Sequence, residues 1–123
     1  MTNWRAVLAG FLVATVVAIL GIALPGVGQL IAGLLGGFVA GFLAGGGILR
    51  GAWHGLLAGA FGGILGGLVL GVAVGIAGVT LGPVTGLIGG LMGVGIFALA
   101  VLVAMVMAIE SAIAGAFGGV LNE

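Results

Sequence analysis

The chain has 123 residues, of which 63% are hydrophobic and 3% charged, with two arginines balancing two glutamates. Water-soluble proteins carry about 25% charged residues, so this composition points to an integral membrane protein. Lysine, aspartate and cysteine are all missing, which removes any basic footprint for nucleic acid and any disulfide or thiolate metal site within the chain.

The first predicted helix covers about residues 4–24. Thr2 and Asn3 can cap it ahead of Trp4, and Pro25 pushes Leu24 out of helical geometry. Its apolar run, Ala6 to Leu24, follows Arg5 but is too long for a signal-peptide h-region and has no A-x-A site before Pro25, so a retained transmembrane helix is expected. Ala6, Gly10, Ala14 and Ala18 form a small row along it.

The second helix is expected over about 27–45. It carries Gly33, Gly37 and Gly41 at four-residue spacing and dissolves in the triple glycine Gly45-Gly46-Gly47. The third, about 51–77, holds the longest such row: Gly51, Gly55, Gly59, Gly63, Gly67, Gly71 and Gly75. In water each of these glycines would cost a helix about 1 kcal/mol relative to alanine, roughly 7 kcal/mol in all. In lipid the backbone must satisfy its own hydrogen bonds, and glycine becomes the means by which two helices approach closely. Each four-residue step drifts about 40° around the helix, so the whole row turns through about 240°. One straight partner could not follow it, and different stretches are expected to meet different neighbours across right-handed crossings near about −40°.

Val79-Thr80-Leu81-Gly82-Pro83 marks a turn, and the fourth helix is expected over about 84–109. Alanines at 100, 104, 108, 112 and 116 keep the four-residue spacing across Glu110 and Ser111. They favour one long helix reaching 121 and protruding from the bilayer; a short interfacial segment after Ser111 is the alternative. The expected fold is therefore all-α: one domain, residues 1–123, forming a bundle of four transmembrane helices with glycine-zipper (small-xxx-small) packing. The segments AGLLGG at Ala32, AGAFGG at Ala58 and Ala114, and TGLIGG at Thr85 hint at a repeat, although a four-letter apolar alphabet yields such matches cheaply.

Arg5 and Arg50 precede the first and third helices and fall on one side, which the positive-inside rule assigns to the cytoplasm together with both termini. Trp4 and Trp53 fall on that side as interfacial anchors. His54 follows Arg50 by one turn, and Glu110 is expected at the same end, so Arg5, Arg50, His54 and Glu110 form a candidate interfacial polar cluster. A proton relay could use such groups. Snorkelling arginines and a Glu110 that meets Arg5, Arg50 or water form the simpler reading.

No residue set supports enzymatic chemistry. A single histidine cannot build a metal site without symmetry. Gly93 to Ala98 fits G-x-G-x-x-A by accident, inside an apolar helix and without the strand and acidic residue that the fingerprint requires. No Walker lysine exists, and Ser111 lacks a plausible base among its sequence neighbours. No cofactor and no small-molecule substrate are expected.

The stretches Trp4 to Gly10, Leu24 to Gly33 and Arg50 to Gly55 (RGAWHG) resemble a family of small uncharacterised glycine-rich membrane proteins common in haloarchaea. The resemblance covers nearly the whole chain and implies a four-helix protein of the archaeal cell membrane, with no activity to carry over. In size and span count the chain is also similar to small internal membrane proteins of pleomorphic haloarchaeal viruses, which implies a virion envelope as another setting. The expected function is structural: a homo-oligomer or larger membrane assembly, with membrane lipids as partners. A pore or proton-conducting oligomer lined by His54 and Glu110, and an accessory subunit of a larger complex, are the rivals.

Overall fold

The computed structural model describes residues 1–123, and all of its regular structure is helical. Helix α1 spans Trp4–Leu20 and runs into a 3-10 turn, Gly21–Ala23; α2 spans Val27–Ala44, α3 Ile48–Thr80 and α4 Pro83–Leu121. All four helical segments are long and apolar enough to cross a membrane.

Local chemistry fixes the boundaries. The Asn3 side chain accepts from the Ala6 amide and caps α1. The helix tightens at Gly21, earlier than residue 24, because Gly21 lies against Gly28 of α2: a methyl group on Gly21 would sit 2.7 Å from the Gly28 Cα. The whole α1–α2 reversal is made within that contact and Pro25. Gly45, Gly46 and Gly47 all have positive φ, so the chain turns there in a conformation that other residues rarely adopt. The turn is complete by Gly47, and α3 starts at Ile48 instead of residue 51. Leu81 and Gly82 suffice for the next reversal. Gly82 has a φ of 132°, and Pro83 takes the first position of α4, where its missing amide costs nothing.

The helices run alternately up and down. Gly10 meets Gly36 and Ala40 across the α1–α2 pair, and Gly37 and Gly41 meet Ser111 and Gly115 across the parallel α2–α4 pair. Helix α1 touches α2 and α3 but not α4. Val7, Ala40 and Ala58, one from each of α1, α2 and α3, form the buried apolar centre. At one end of the bundle the Asn122 amide donates to the Phe42 carbonyl at 2.7 Å and the Gly47 amide to the Gly119 carbonyl at 3.2 Å, which ties the end of α4 to α2 and to the start of α3.

Two helix lengths coexist. With 18 residues α2 is about 27 Å long, whereas α3 with 33 and α4 with 39 reach about 50 and 58 Å. The α3–α4 hairpin thus outreaches its companions. In its distal part Gly71, Gly78, Gly86, Gly89 and Gly93 meet the opposite helix of the hairpin, and Leu70, Ile76, Leu87 and Leu91 are exposed. Residues 110–121 continue α4 as one long helix, and one face of this stretch packs inside the bundle: Ser111, Ala114, Gly115, Gly118 and Gly119 are buried. Only small side chains stand on that face, so α2 and α3 close onto it.

Candidate functional site

The glycine rows meet backbone. A methyl group on Gly51 would lie 2.8 Å from the Gly119 Cα; on Gly55, 3.0 Å from the Gly115 Cα; on Gly59, 2.8 Å from the Ser111 Cβ; and on Gly63, 2.8 Å from the Ala104 Cα. Gly67 meets Ala100, and Gly71 faces the Gly93 carbonyl at 2.7 Å. Separations below about 3 Å leave no room for a side chain without moving a helix. Gly75 has open space where its side chain would be. On α2, a methyl on Gly37 would lie 2.5 Å from Ser111 Oγ and one on Gly41 2.6 Å from the Gly115 Cα, while Gly33 faces the Glu110 carboxylate at 3.4 Å.

The expectation that several neighbours share the α3 row is corrected by these contacts, because α4 alone accompanies it from Gly51 to Gly71. The reason lies in α4. Its facing residues are Gly93, Phe97, Ala100, Ala104, Ala108, Ser111, Gly115 and Gly119, seven steps over 26 residues. That is about 3.7 residues per step, longer than the helical period, which is the spacing of a right-handed winding pair. Two helices that wind together can keep a drifting row in contact.

Ser111 stands where α2, α3 and α4 converge. Its side chain is 1% exposed, and its hydroxyl donates to the Gly55 carbonyl at 2.8 Å. The hydroxyl is a polar tie between helices. Interhelical bonds of this kind contribute about 0.6 to 2 kcal/mol in lipid. Ser111→Ala is expected to lower stability to reversible unfolding in mild detergent by about 1 kcal/mol. Its lone position among glycine and alanine is the signal in the sequence for this tie.

The four candidate polar residues do not assemble into one cluster. Arg5 and Arg50 are exposed, and the Arg50 stem lies beside Gly46. His54 is 1% exposed. Its Nδ1 is 2.7 Å from the Arg50 carbonyl, and its Nε2 is 2.7 Å from the Asn3 amide nitrogen at the start of α1. The Trp53 indole donates to the Thr2 hydroxyl at 3.1 Å, and Trp4 packs edge-on against Phe61 with ring centroids 6.0 Å apart. These contacts join the beginnings of α1 and α3, so both tryptophans and both arginines occupy one end of the bundle.

Glu110 belongs to a different interface. It sits between α2 and α4 beside Gly33 and Met107, and its Oε1 is buried without a hydrogen-bond partner. Of the expected partners, Arg5, Arg50 or water, neither arginine reaches it, because the continuous α4 carries the half-buried Glu110 down the α2 flank. An unpaired buried oxygen costs about 1 to 3 kcal/mol. Glu110→Met, which keeps the length and removes the oxygens, is expected to raise the unfolding free energy by about 1 kcal/mol, measured in the same detergent assay.

No group of three histidine, aspartate or glutamate side chains converges on a common point. An open cleft of about 200 Å³ lies on the distal hairpin between Leu68, Gly71 and Val72 of α3 and Gly90, Gly93, Val94 and Phe97 of α4. Its lining is apolar, suited to hydrocarbon.

The profile of DUF5518, described as a family of unknown function, matches residues 4–121. The chain belongs to DUF5518. The match runs from the first residue of α1 to the last of α4 and so takes in all four helices. No curated protein and no solved structure matches the chain. DUF5518 membership accords with the expected kinship to an uncharacterised family and assigns no chemistry to Ser111, His54 or Glu110.

Proposed function

We propose that this DUF5518 protein is a non-enzymatic structural protein of the membrane, which associates with copies of itself through small-residue helix faces and so organises lipid or a larger membrane assembly. The observation that carries this reading is the division of its glycines. Those of one set lie against neighbouring helices of the same chain, which supports reading them as a glycine zipper within the bundle. Those of a second set, Gly66, Gly90 and Gly95, are exposed on helices with no atom within 4 Å of where a side chain would begin. Glycine in an apolar helix has a use where another backbone approaches. The second set lacks such a neighbour within the monomer, and a further copy would supply it.

The archaeal cell membrane, or a virion envelope derived from it, is the proposed setting, with both termini on the cytoplasmic or interior side. The Arg5, Arg50, Trp4 and Trp53 end supports that orientation. The rival pore needs His54 and Glu110 on a common lining, whereas His54 lies between α1 and α3 and Glu110 between α2 and α4. Native-membrane extraction followed by imaging of the particles tests the proposal. Sheets, strings or compact clusters of this chain support it. A closed ring around a central opening would favour passage, and a stable one-to-one complex with an unrelated subunit would favour an accessory role.

A further inference from the structure

We propose that His54 and the Asn3 amide form an acid-released latch that holds the start of α1 against α3. The ring has two neighbours of opposite kind. The Arg50 carbonyl, 2.7 Å from Nδ1, can only accept; the Asn3 amide, 2.7 Å from Nε2, can only donate. One form of imidazole satisfies both: the neutral ring with its proton on Nδ1 and a lone pair on Nε2. Protonation places a second N–H on Nε2, directed at the N–H of Asn3. Two donors then face each other in a site where His54 is 1% exposed and water does not intervene freely. The charged ring and the docked α1 start exclude one another.

What the latch holds is well defined. Asn3 is the N-cap of α1: its carbonyl accepts from the Ala6 and Val7 amides, and its side chain also accepts from Ala6. Thr2 and Trp4, on either side of Asn3, carry the contacts to Trp53 and Phe61. Loss of the Asn3 tie therefore frees a segment of α1 while the α3–α4 glycine contacts, which do not involve it, stay closed. No carboxylate counters the charge. The charged groups on the elements packed against His54 are the terminal amine and Arg5 on the α1 side, Arg50 on α3 itself, and Glu110 and Glu123 on the α4 side; α2 carries none. None forms an ion pair with His54, and Glu110 lies beside Gly33 of α2.

Hydrogen exchange read by mass spectrometry, on the full-length protein in lipid nanodiscs, tests the latch. After correction for the pH dependence of intrinsic exchange, protection of the peptide covering Thr2 to Val7 should fall at least about tenfold between about pH 8 and about pH 5. Peptides of α3 and α4 should keep theirs. In His54→Gln, which has no titratable ring, protection of the same peptide should be flat with pH whatever its absolute level. Nitrogen-15 spectra of the wild-type ring supply the second readout, which needs no variant: Nδ1–H with Nε2 unprotonated at high pH, and both nitrogens protonated in step with the exchange change. An imidazole that titrates without change in protection, a ring that stays neutral down to about pH 5, or an equal response in His54→Gln would each overturn the proposal.

Discussion

Replacing Gly59, Gly63 and Gly67 together with leucine is expected to separate α3 from α4 and abolish the native bundle. At these positions a methyl group alone would meet Ser111, Ala108, Ala104 or Ala100 at or inside contact distance. A leucine adds three further carbons to each. Overpacking typically costs about 1 to 3 kcal/mol per site, and here the obstacle is the β-carbons and backbone of a second helix, which cannot step aside as the far end of a flexible side chain can. Three adjacent sites bring the total to about 5 kcal/mol or more, the order of the whole stability of a small domain. Helical content should survive, because each helix in lipid satisfies its own hydrogen bonds. The loss should appear as disappearance of a cooperative unfolding transition and as protease sensitivity in the turn at Leu81-Gly82. A retained transition at an unchanged midpoint would show that these glycines do not hold the helices together.

The same substitution at the outward glycines should leave the monomer intact. Leucine at Gly66, Gly90 and Gly95 meets open space. No contact within the monomer is lost, so its stability should be kept. Self-association should fall sharply, because a branched side chain would hold a second copy several ångströms away from the backbone it needs to approach. Fluorescence energy transfer between labelled copies in vesicles, at a fixed protein-to-lipid ratio, reads this directly. A stable monomer with lost transfer is the expected outcome. Undiminished transfer would mean that copies do not meet through these faces, and the structural role proposed above would lose its support.

The sequence and the structure agree most where a single physical constraint dominates. Four apolar segments separated by Pro25, Gly45 to Gly47 and Gly82-Pro83 leave little freedom in lipid, where helix is the one open-ended way to satisfy the backbone. Partner choice was harder to read. A four-residue row on α3 does not name the helix it faces; that required the complementary spacing on α4, which is mostly steps of four with two steps of three and is hidden among many other small residues. The placement of residues 110–121 turned on the same face of α4. Glu110 and Ser111 looked like an interruption, yet only Ser111 points into the junction, and its hydroxyl finds a carbonyl there. His54 lies at the expected end of the bundle, but its burial was not legible, because its partner Asn3 lies 51 positions away and contributes a backbone amide that no side-chain pattern announces.

The account stands on glycine backbones of different helices touching within the bilayer. Magic-angle-spinning spectra of the protein labelled with carbon-13 only at glycine Cα, in lipid, measure that contact with no substitution. Cross-peaks between sequence-distant glycines are expected for the pairs Gly21–Gly28, Gly51–Gly119, Gly55–Gly115 and Gly78–Gly89, whose backbones are in contact. Their absence, with those same carbons showing strong transfer from lipid acyl-chain protons, would contradict it.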